Sequence, residues 1–380
     1  MIDTDYSFVN DDFKTKITAT DLIDDNRKNE YLNKVDSLTG TVFNEAFNNI
    51  KNGLNNLEIK SDNDVILPEY EDGKDYYAEK IYEDTGFTSM KDYKAYLDSK
   101  LDIDNMSGSI VTEFQKTYFN YIQNGGDENL DFTDVKFTEA NSPNEVLKKL
   151  ETDIKADFPE INDTDFNMEI LPSALKPLFN GVAAFYLISS IDNTSAAEKM
   201  MLINDYTQSD YSTIAHEGYP GHMYQSIYYK SVEHPVIRDV LSYYGYSEGY
   251  ANYVQRYASK YADNKEAAAV YEANQSISYY AILQIDYELN YEGDTKEAKE
   301  MIASLFGSDE EMINEIYSQL RFSPESFVPY YVGGSLIDDL KEEVLDNNSD
   351  LSDKDFHEAL LNVGPAPYEI YAKWVKQALN

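Results

Sequence analysis

Cysteine is absent from the 380 residues, which excludes disulfides, thiol nucleophiles and thiolate-held metals while leaving the redox compartment open. Basic residues are scarce: 31 Lys and Arg against 70 Asp and Glu give a formal net charge of −39. No nucleic acid is expected as a partner, since phosphate backbones are held by cationic grooves, and anionic membranes are repelled for the same reason. The acidity itself reads as a solubility device and identifies no substrate. Long apolar runs are missing too. No stretch of about 18 apolar residues is present, so no transmembrane segment is expected. Met1-Ile2-Asp3-Thr4-Asp5 has neither a basic nor an apolar segment and does not read as a signal peptide. Histidine is the last scarce type, with four copies, and its placement is informative.

What is present suffices for a globular chain, because 42% hydrophobic residues at this length can build one large core or two modest ones. The first half reads as helices joined by polar loops. Thr20 or Asp21 can cap a helix through about Leu57, Asp72-Gly73 opens one around Tyr76 to Asp84, and Ser89 to Leu101 has helical spacing. After a break at Asn124-Gly125-Gly126-Asp127, Ser142-Pro143-Asn144-Glu145 starts another helix. From Leu171 the texture changes. The apolar runs Ala183 to Ile188 and Lys199 to Ile203, separated by the turn-like Asp192-Asn193-Thr194-Ser195, suggest strands. Helical patterns return after Val236 and continue through Leu345. Ser352 caps a helix to Asn362 that Gly364-Pro365 stops, and a last helix carries Trp374. The expectation is a mainly α chain with a small β-sheet. Residues 1–170 wall a cleft and residues 171–380 supply the chemistry, within one continuous structural unit.

Two of the four histidines stand in His216-Glu217-Gly218-Tyr219-Pro220-Gly221-His222. Imidazoles are good zinc ligands, and a glutamate beside the first can act as general base. The usual His-Glu-x-x-His helix puts both imidazoles on one face by a four-residue step. Here the step is six, about 600° of turn, which leaves the second imidazole roughly 120° away on a regular helix. Pro220 removes a donor, and Gly218 and Gly221 tolerate unusual dihedrals, so a bulged or broken helix can return His222 to His216. The plain alternative is a helix-ending Pro-Gly turn flanked by histidines. A third ligand decides between them, because catalytic zinc sites normally use three. Glu248 is the candidate. On a helix it falls in a largely apolar stripe with Ile237, Leu241, Tyr244, Ala251 and Ala258, where a carboxylate needs a cation or strong hydrogen bonds. Pairing with Arg256 or Arg238 is the competing explanation.

The segments HEGYPGHMYQ, SEGYANY, RFSP, PYYVGG and DFHEALLNVGPAP resemble the signatures of a bacterial domain-of-unknown-function family, number 885. A weaker likeness begins at LPEYEDGKDYYAEKIYEDTGFTSM, so the resemblance runs from about Leu67 to the C-terminus. It implies a zincin-like helical metallopeptidase fold with a small sheet beside the active-site helix, whose edge strand receives extended peptide; two core strands with no free edge are the equal alternative. The two departures are Met223, where many members carry a second histidine, and the lack of a glutamine before PYYVGG.

The resulting expectation is a zinc-dependent hydrolase, a metallopeptidase of short peptides, with one zinc on His216, His222 and Glu248 and with Glu217 as base. By resemblance, Tyr330 or Tyr331, Arg321 and His357 are candidates to steady the oxyanion, with His357 and Tyr330 preferred. Each has a bland counterpart: a tyrosine packing at a Gly-Gly turn, an arginine on an acidic surface, a structural histidine. Tyr250 and Tyr253 fit the core or a supporting hydrogen bond to a ligand. The rivals are an inactive peptide- or cell-wall-fragment-binding protein and a metal-dependent amidase or esterase. The resemblance also implies an extracellular or surface-attached protein, a cytoplasmic one being the alternative.

Overall fold

A computed structural model of the chain describes residues 7–57, 65–128, 130–132, 135–162, 165–172, 175–179, 182–187 and 197–380. It is mainly helical with one small sheet, as the sequence suggests. Contacts divide it into two compact units. The first is Met1–Val65, Ile170–Ala183 and Leu202–Asp205; the second is Ile66–Glu169, Ala184–Met201 and Tyr206–Asn380.

The first unit holds α1 (Ser7–Ala19), α2 (Asp25–Leu38) and α3 (Asn44–Asn55). The cap expected at Thr20 or Asp21 is instead Asp24, whose carboxylate accepts the Arg27 N–H and satisfies an otherwise orphaned donor. A π-helical turn, Thr39–Phe43, divides what reads in sequence as one helix into α2 and α3.

The second unit carries the candidate chemistry. Its early helices are α4 (Gly73–Thr85), α5 (Met90–Lys100), α6 (Ser109–Gln123) and α7 (Pro143–Asp153). Ser89 caps α5 and Ser142 caps α7, with Pro143 in the first turn where a missing N–H costs nothing. The later helices are α8 (Tyr211–Glu217), α9 (His222–Ser231), α10 (Tyr244–Tyr257), α11 (Lys265–Tyr287), α12 (Thr295–Phe306) and α13 (Glu310–Phe322). The chain closes with α14 (Val328–Asn347), α15 (Asp353–Val363) and α16 (Tyr368–Ala378). Among the described residues no helix is long and apolar enough to cross a membrane.

Strands β1 (Phe166–Ile170), β2 (Ala184–Leu187) and β3 (Glu198–Leu202) form one sheet in the order β1-β3-β2. The two apolar runs read from sequence are β2 and β3; Ile188 and the turn Asp192–Ser195 lie outside the described residues. β1 was not legible, because five residues with Asn167 and Glu169 among them give too short an alternation to stand out.

Helices α10 and α14 pack at backbone distance. A Cβ added to Gly249 would lie 2.7 Å from the Gly333 carbonyl carbon, and one added to Gly333 would lie 2.5 Å from the Gly245 oxygen. The Gly-Gly of PYYVGG is therefore not a turn but mid-helix. Glycine is the poorest helix former after proline, and it is placed here because no side chain fits between the two backbones. Just before α14, the Glu325 N–H donates to both carboxylate oxygens of the buried Asp286 at 3.3 and 3.1 Å. These contacts fix the start of α14 against α11.

Candidate metal centre

The six-residue step between His216 and His222 is resolved by extrusion. In a regular helix each N–H reaches back four residues. Here the Gly221 N–H donates to the Ala215 carbonyl at 3.0 Å and the Tyr224 N–H to the Gly218 carbonyl at 3.2 Å, each reaching back six. Two extra residues are thus looped out between α8 and α9, and the six-residue step spans one turn. A Cβ on Gly221 would lie 1.7 Å from the His216 oxygen, so the tight return requires glycine. The Tyr219–Pro220 bond is cis. Tyr250 of α10 donates its hydroxyl to the Pro220 carbonyl at 3.0 Å, tying the loop to the neighbouring helix.

The two imidazoles end 4.8 Å apart, nearly perpendicular, and Glu248 of α10 joins them. Its Oε2 lies 3.2 Å from His222 Nε2 and 3.5 Å from His216 Nε2. Ligand atoms of His216, His222 and Glu248 all fall within 4.8 Å of one another. Burial pushes the Glu248 carboxyl up, but when the imidazoles of His216 and His222 are protonated their hydrogen bonds and charge outweigh it and hold it well below the usual range.

A relay behind His216 fixes its orientation. Its Nδ1 is 3.1 Å from Gln255 Oε1, and Gln255 Nε2 donates to the buried Glu272 carboxylate at 3.0 Å. A carboxylate only accepts, so the Gln255 amide nitrogen faces Glu272 and its oxygen faces His216. That oxygen also only accepts. The Nδ1 proton of a neutral His216 is thereby committed to Gln255, and the Nε2 lone pair is turned towards the Glu248 oxygen. Two electron pairs then face each other at 3.5 Å, an arrangement that a cation or an extra proton must relieve. Two imidazole nitrogens and one carboxylate are also the donor set of a three-ligand zinc site.

Glu217 is buried beside this cluster. Burial pushes its carboxyl up to about 7; His216 pulls it down, Glu248 pushes it up, and a hydrogen bond from the Tyr186 backbone pulls it down. Tyr186 lies on β2, which among the described residues pairs with β3 alone. Of the two tyrosines in PYYVGG, Tyr330 faces the cluster. Its ring stacks on His216 at 6.0 Å and its hydroxyl hydrogen-bonds Glu248; burial first, then the charges of Glu248 and Glu217, raise its pKa. Tyr331 turns away and stacks on Tyr279 at 4.1 Å.

The structure does not bring His357 to the cluster as the sequence reading expected. It is fully buried, lies flat on Phe158 at 3.9 Å, and has Nδ1 2.7 Å from the Asp157 carbonyl and Nε2 2.7 Å from the Tyr253 hydroxyl. Both nitrogens are engaged, and burial depresses its pKa to about 3, so it is a neutral packing residue. The rarity of histidine suggested catalysis; an apolar pocket with two fitting partners explains it equally well. Arg321 ends α13 with its guanidinium over Phe322. The apolar stripe through Ile237, Leu241 and Tyr244 is also corrected: α10 begins only at Tyr244, and all three side chains are exposed. Glu248 is nevertheless largely buried, by Tyr330 and the two histidines. Gln255 and Glu272 were missed. Gln255 follows Glu248 by seven residues on the same helical face, which is the one sequence signal that pointed to it.

These features define a mainly helical protein with a two-histidine, one-glutamate constellation on a looped-out helix and a buried carboxyl beside it. The chain belongs to the family described as bacterial protein of unknown function (DUF885), whose profile matches residues 4–375. Among solved structures it is similar to a candidate lipoprotein from Colwellia psychrerythraea, at TM-score 0.77 and 15% identity, covering 97% of this chain and 66% of that one. It is also similar to a candidate lipoprotein of unknown function from Shewanella oneidensis, at TM-score 0.59 and 17% identity, covering 97% and 69%. The chain thus spans about two thirds of each neighbour, and these likenesses concern the fold. No curated protein sequence matches it.

Proposed function

We propose that the protein is a zinc-dependent peptidase of zincin-like fold that cleaves short, extended peptides. The observation that carries this reading is the convergence of His216, His222 and Glu248, with His216 Nδ1 held against the Gln255 amide oxygen. A zinc ion held by these three supplies Lewis acidity to a carbonyl and eases the ionisation of water. Glu217, buried and adjacent to the first ligand, takes up the proton that water loses as it adds to the carbonyl carbon, then passes it to the departing nitrogen. The Tyr330 hydroxyl, which reaches Glu248, is the donor to the oxyanion in this scheme. The β2 edge supports the peptide preference, because its Tyr186 backbone already hydrogen-bonds Glu217 and an extended chain laid along it passes the base. Lipoprotein-described neighbours favour secretion or surface attachment.

Elemental analysis of zinc-equilibrated protein tests the ligand set: one zinc per chain in the parent, and a sharp fall in His216→Ala and Glu248→Gln. Equal loading of His216→Ala would overturn the assignment. Glu217→Gln should keep zinc and lose roughly 10²-fold or more of peptide turnover. Retained turnover in that zinc-loaded variant would remove Glu217 from the role.

A further inference from the structure

Between α9 and α10 the chain runs through a short 3-10 turn, Val236–Asp239, that is built inside out. The apolar side chains of this turn and of the residues that lead into α10 face solvent: Val236, Ile237, Val240, Leu241 and Tyr244 are between 44% and 77% exposed. Its polar side chains are the ones held against the protein. Arg238 donates to the carbonyls of Val363 and Pro365 at 2.8 and 2.7 Å and lies over the Tyr229 ring. His234 stacks on Tyr229 and reaches Asp239 Oδ1 at 2.7 Å. The segment is therefore pinned from below while five large apolar side chains within nine residues stand exposed, and such a cluster marks a binding region more often than a lone exposed residue does.

Position says what it binds. Tyr244 and Glu248 are four residues apart on α10, so they share a face one turn apart. The patch thus begins beside the candidate metal centre and leads away from it. The net charge of −39 disfavours an anionic membrane and a second copy of the chain as occupants. An uncharged side chain of a short peptide meets neither objection.

We propose that Ile237, Val240, Leu241 and Tyr244 form a subsite for a large apolar side chain close to the scissile bond, so that the substrates are peptides carrying Leu, Phe or a similar residue there. This rests on the peptidase reading. A subsite of this kind discriminates by roughly 10- to 200-fold in kcat/KM, because an apolar surface rewards an apolar group without strongly rejecting others.

The test uses zinc-loaded full-length protein and paired peptides that differ only in Leu or Phe against Ser at each position around the cleaved bond. One position should show at least about a tenfold apolar preference. The ratio should collapse towards unity in Leu241→Ser and in Ile237→Ser with zinc content unchanged. Calorimetric binding of the same pairs to Glu217→Gln supplies a readout apart from turnover and should show the same preference and the same loss. Failure of the parent to cleave any peptide removes the peptidase reading and the subsite with it. Cleavage without an apolar preference, or with one that survives both substitutions, overturns the subsite alone. Co-sedimentation with phosphatidylcholine vesicles, or self-association, that both substitutions abolish would assign the patch to lipid or to a second copy and overturn it likewise.

Discussion

Gly249→Ala sets two principles against each other. By helix propensity, alanine at this interior position of α10 should stabilise the protein by about 1 kcal/mol. By packing, the new Cβ would stand 2.7 Å from the Gly333 carbonyl carbon and 2.9 Å from its Cα, where an ordinary contact is near 3.4 Å or more. The helices must separate by roughly 0.7 Å, and because the opposing atoms are backbone no rotamer change relieves the clash. Overpacking typically costs about 1–3 kcal/mol, and a backbone-on-backbone contact belongs at the upper end; subtracting the propensity gain leaves a net loss of roughly 2 kcal/mol. Glu248 is the preceding residue, so the shift also carries a proposed ligand away from the histidines, and zinc affinity should weaken by about tenfold or more, as supporting substitutions around metal sites do. Urea unfolding of the metal-free variant and a competitive zinc titration measure the two effects. Gly53→Ala is the control: nothing lies within 4 Å of a Cβ there, so the propensity gain should appear alone. If Gly249→Ala were instead stabilised like Gly53→Ala and bound zinc as the parent does, the close crossing of α10 and α14 would be refuted.

Gln255→Leu should leave the fold intact and weaken zinc binding by about 10- to 100-fold, since His216 loses the acceptor that fixes its tautomer; a chelator competition assay measures it. His357→Ala should cost about 3 kcal/mol in urea unfolding, because it opens a cavity beside Phe158 and strands the Tyr253 hydroxyl, yet zinc content should not change; a loss of zinc without a loss of stability would restore His357 to the site. Stability should fall with rising pH near neutrality. Burial, then the charge of Asp84, push the Glu325 carboxyl up to about 7 in the folded protein, above its ordinary range. A group raised on folding contributes stability that is present below its unfolded pKa and lost as pH climbs through the folded one. Glu325→Gln, which does not ionise, should therefore lose less stability between about pH 4.5 and 7.5 in urea midpoints; identical slopes would refute the assignment.

The His-His-Glu cluster was the most legible part of the chain, because a site that could hold a metal requires particular residue types and leaves few substitutes. His216, His222 and Glu248 could be named before any coordinates, and the glycines and proline between the histidines announced that a straight helix would not serve. Capped helices such as those begun by Ser89 and Ser142 were legible for a similar reason: the capping side chain is local and specific. What resisted reading was set by tertiary context. Ile237 and Leu241 fit a buried helical stripe by spacing, but an exposed turn carries them. Gly333 and Gly334 left a turn open as the bland alternative, because their purpose, the approach of a second backbone, is not written nearby. Histidine scarcity pointed at His357, whose burial between Phe158 and Tyr253 depends on residues far away in sequence.

The looped-out pair between α8 and α9 does more than correct a spacing. A straight helix can be steered only by its ends and its packed stripe, whereas this one carries a sideways handle. Tyr219, at the tip of the loop, meets Phe166 of β1 edge to face at 5.5 Å. Phe166 therefore braces the chain between His216 and His222, at the loop that sets the gap between them. The gap between the two imidazoles is thus braced by a residue that touches neither of them, and in the proposed zinc site a change of ring size at Phe166 would alter metal affinity while leaving every donor atom in place.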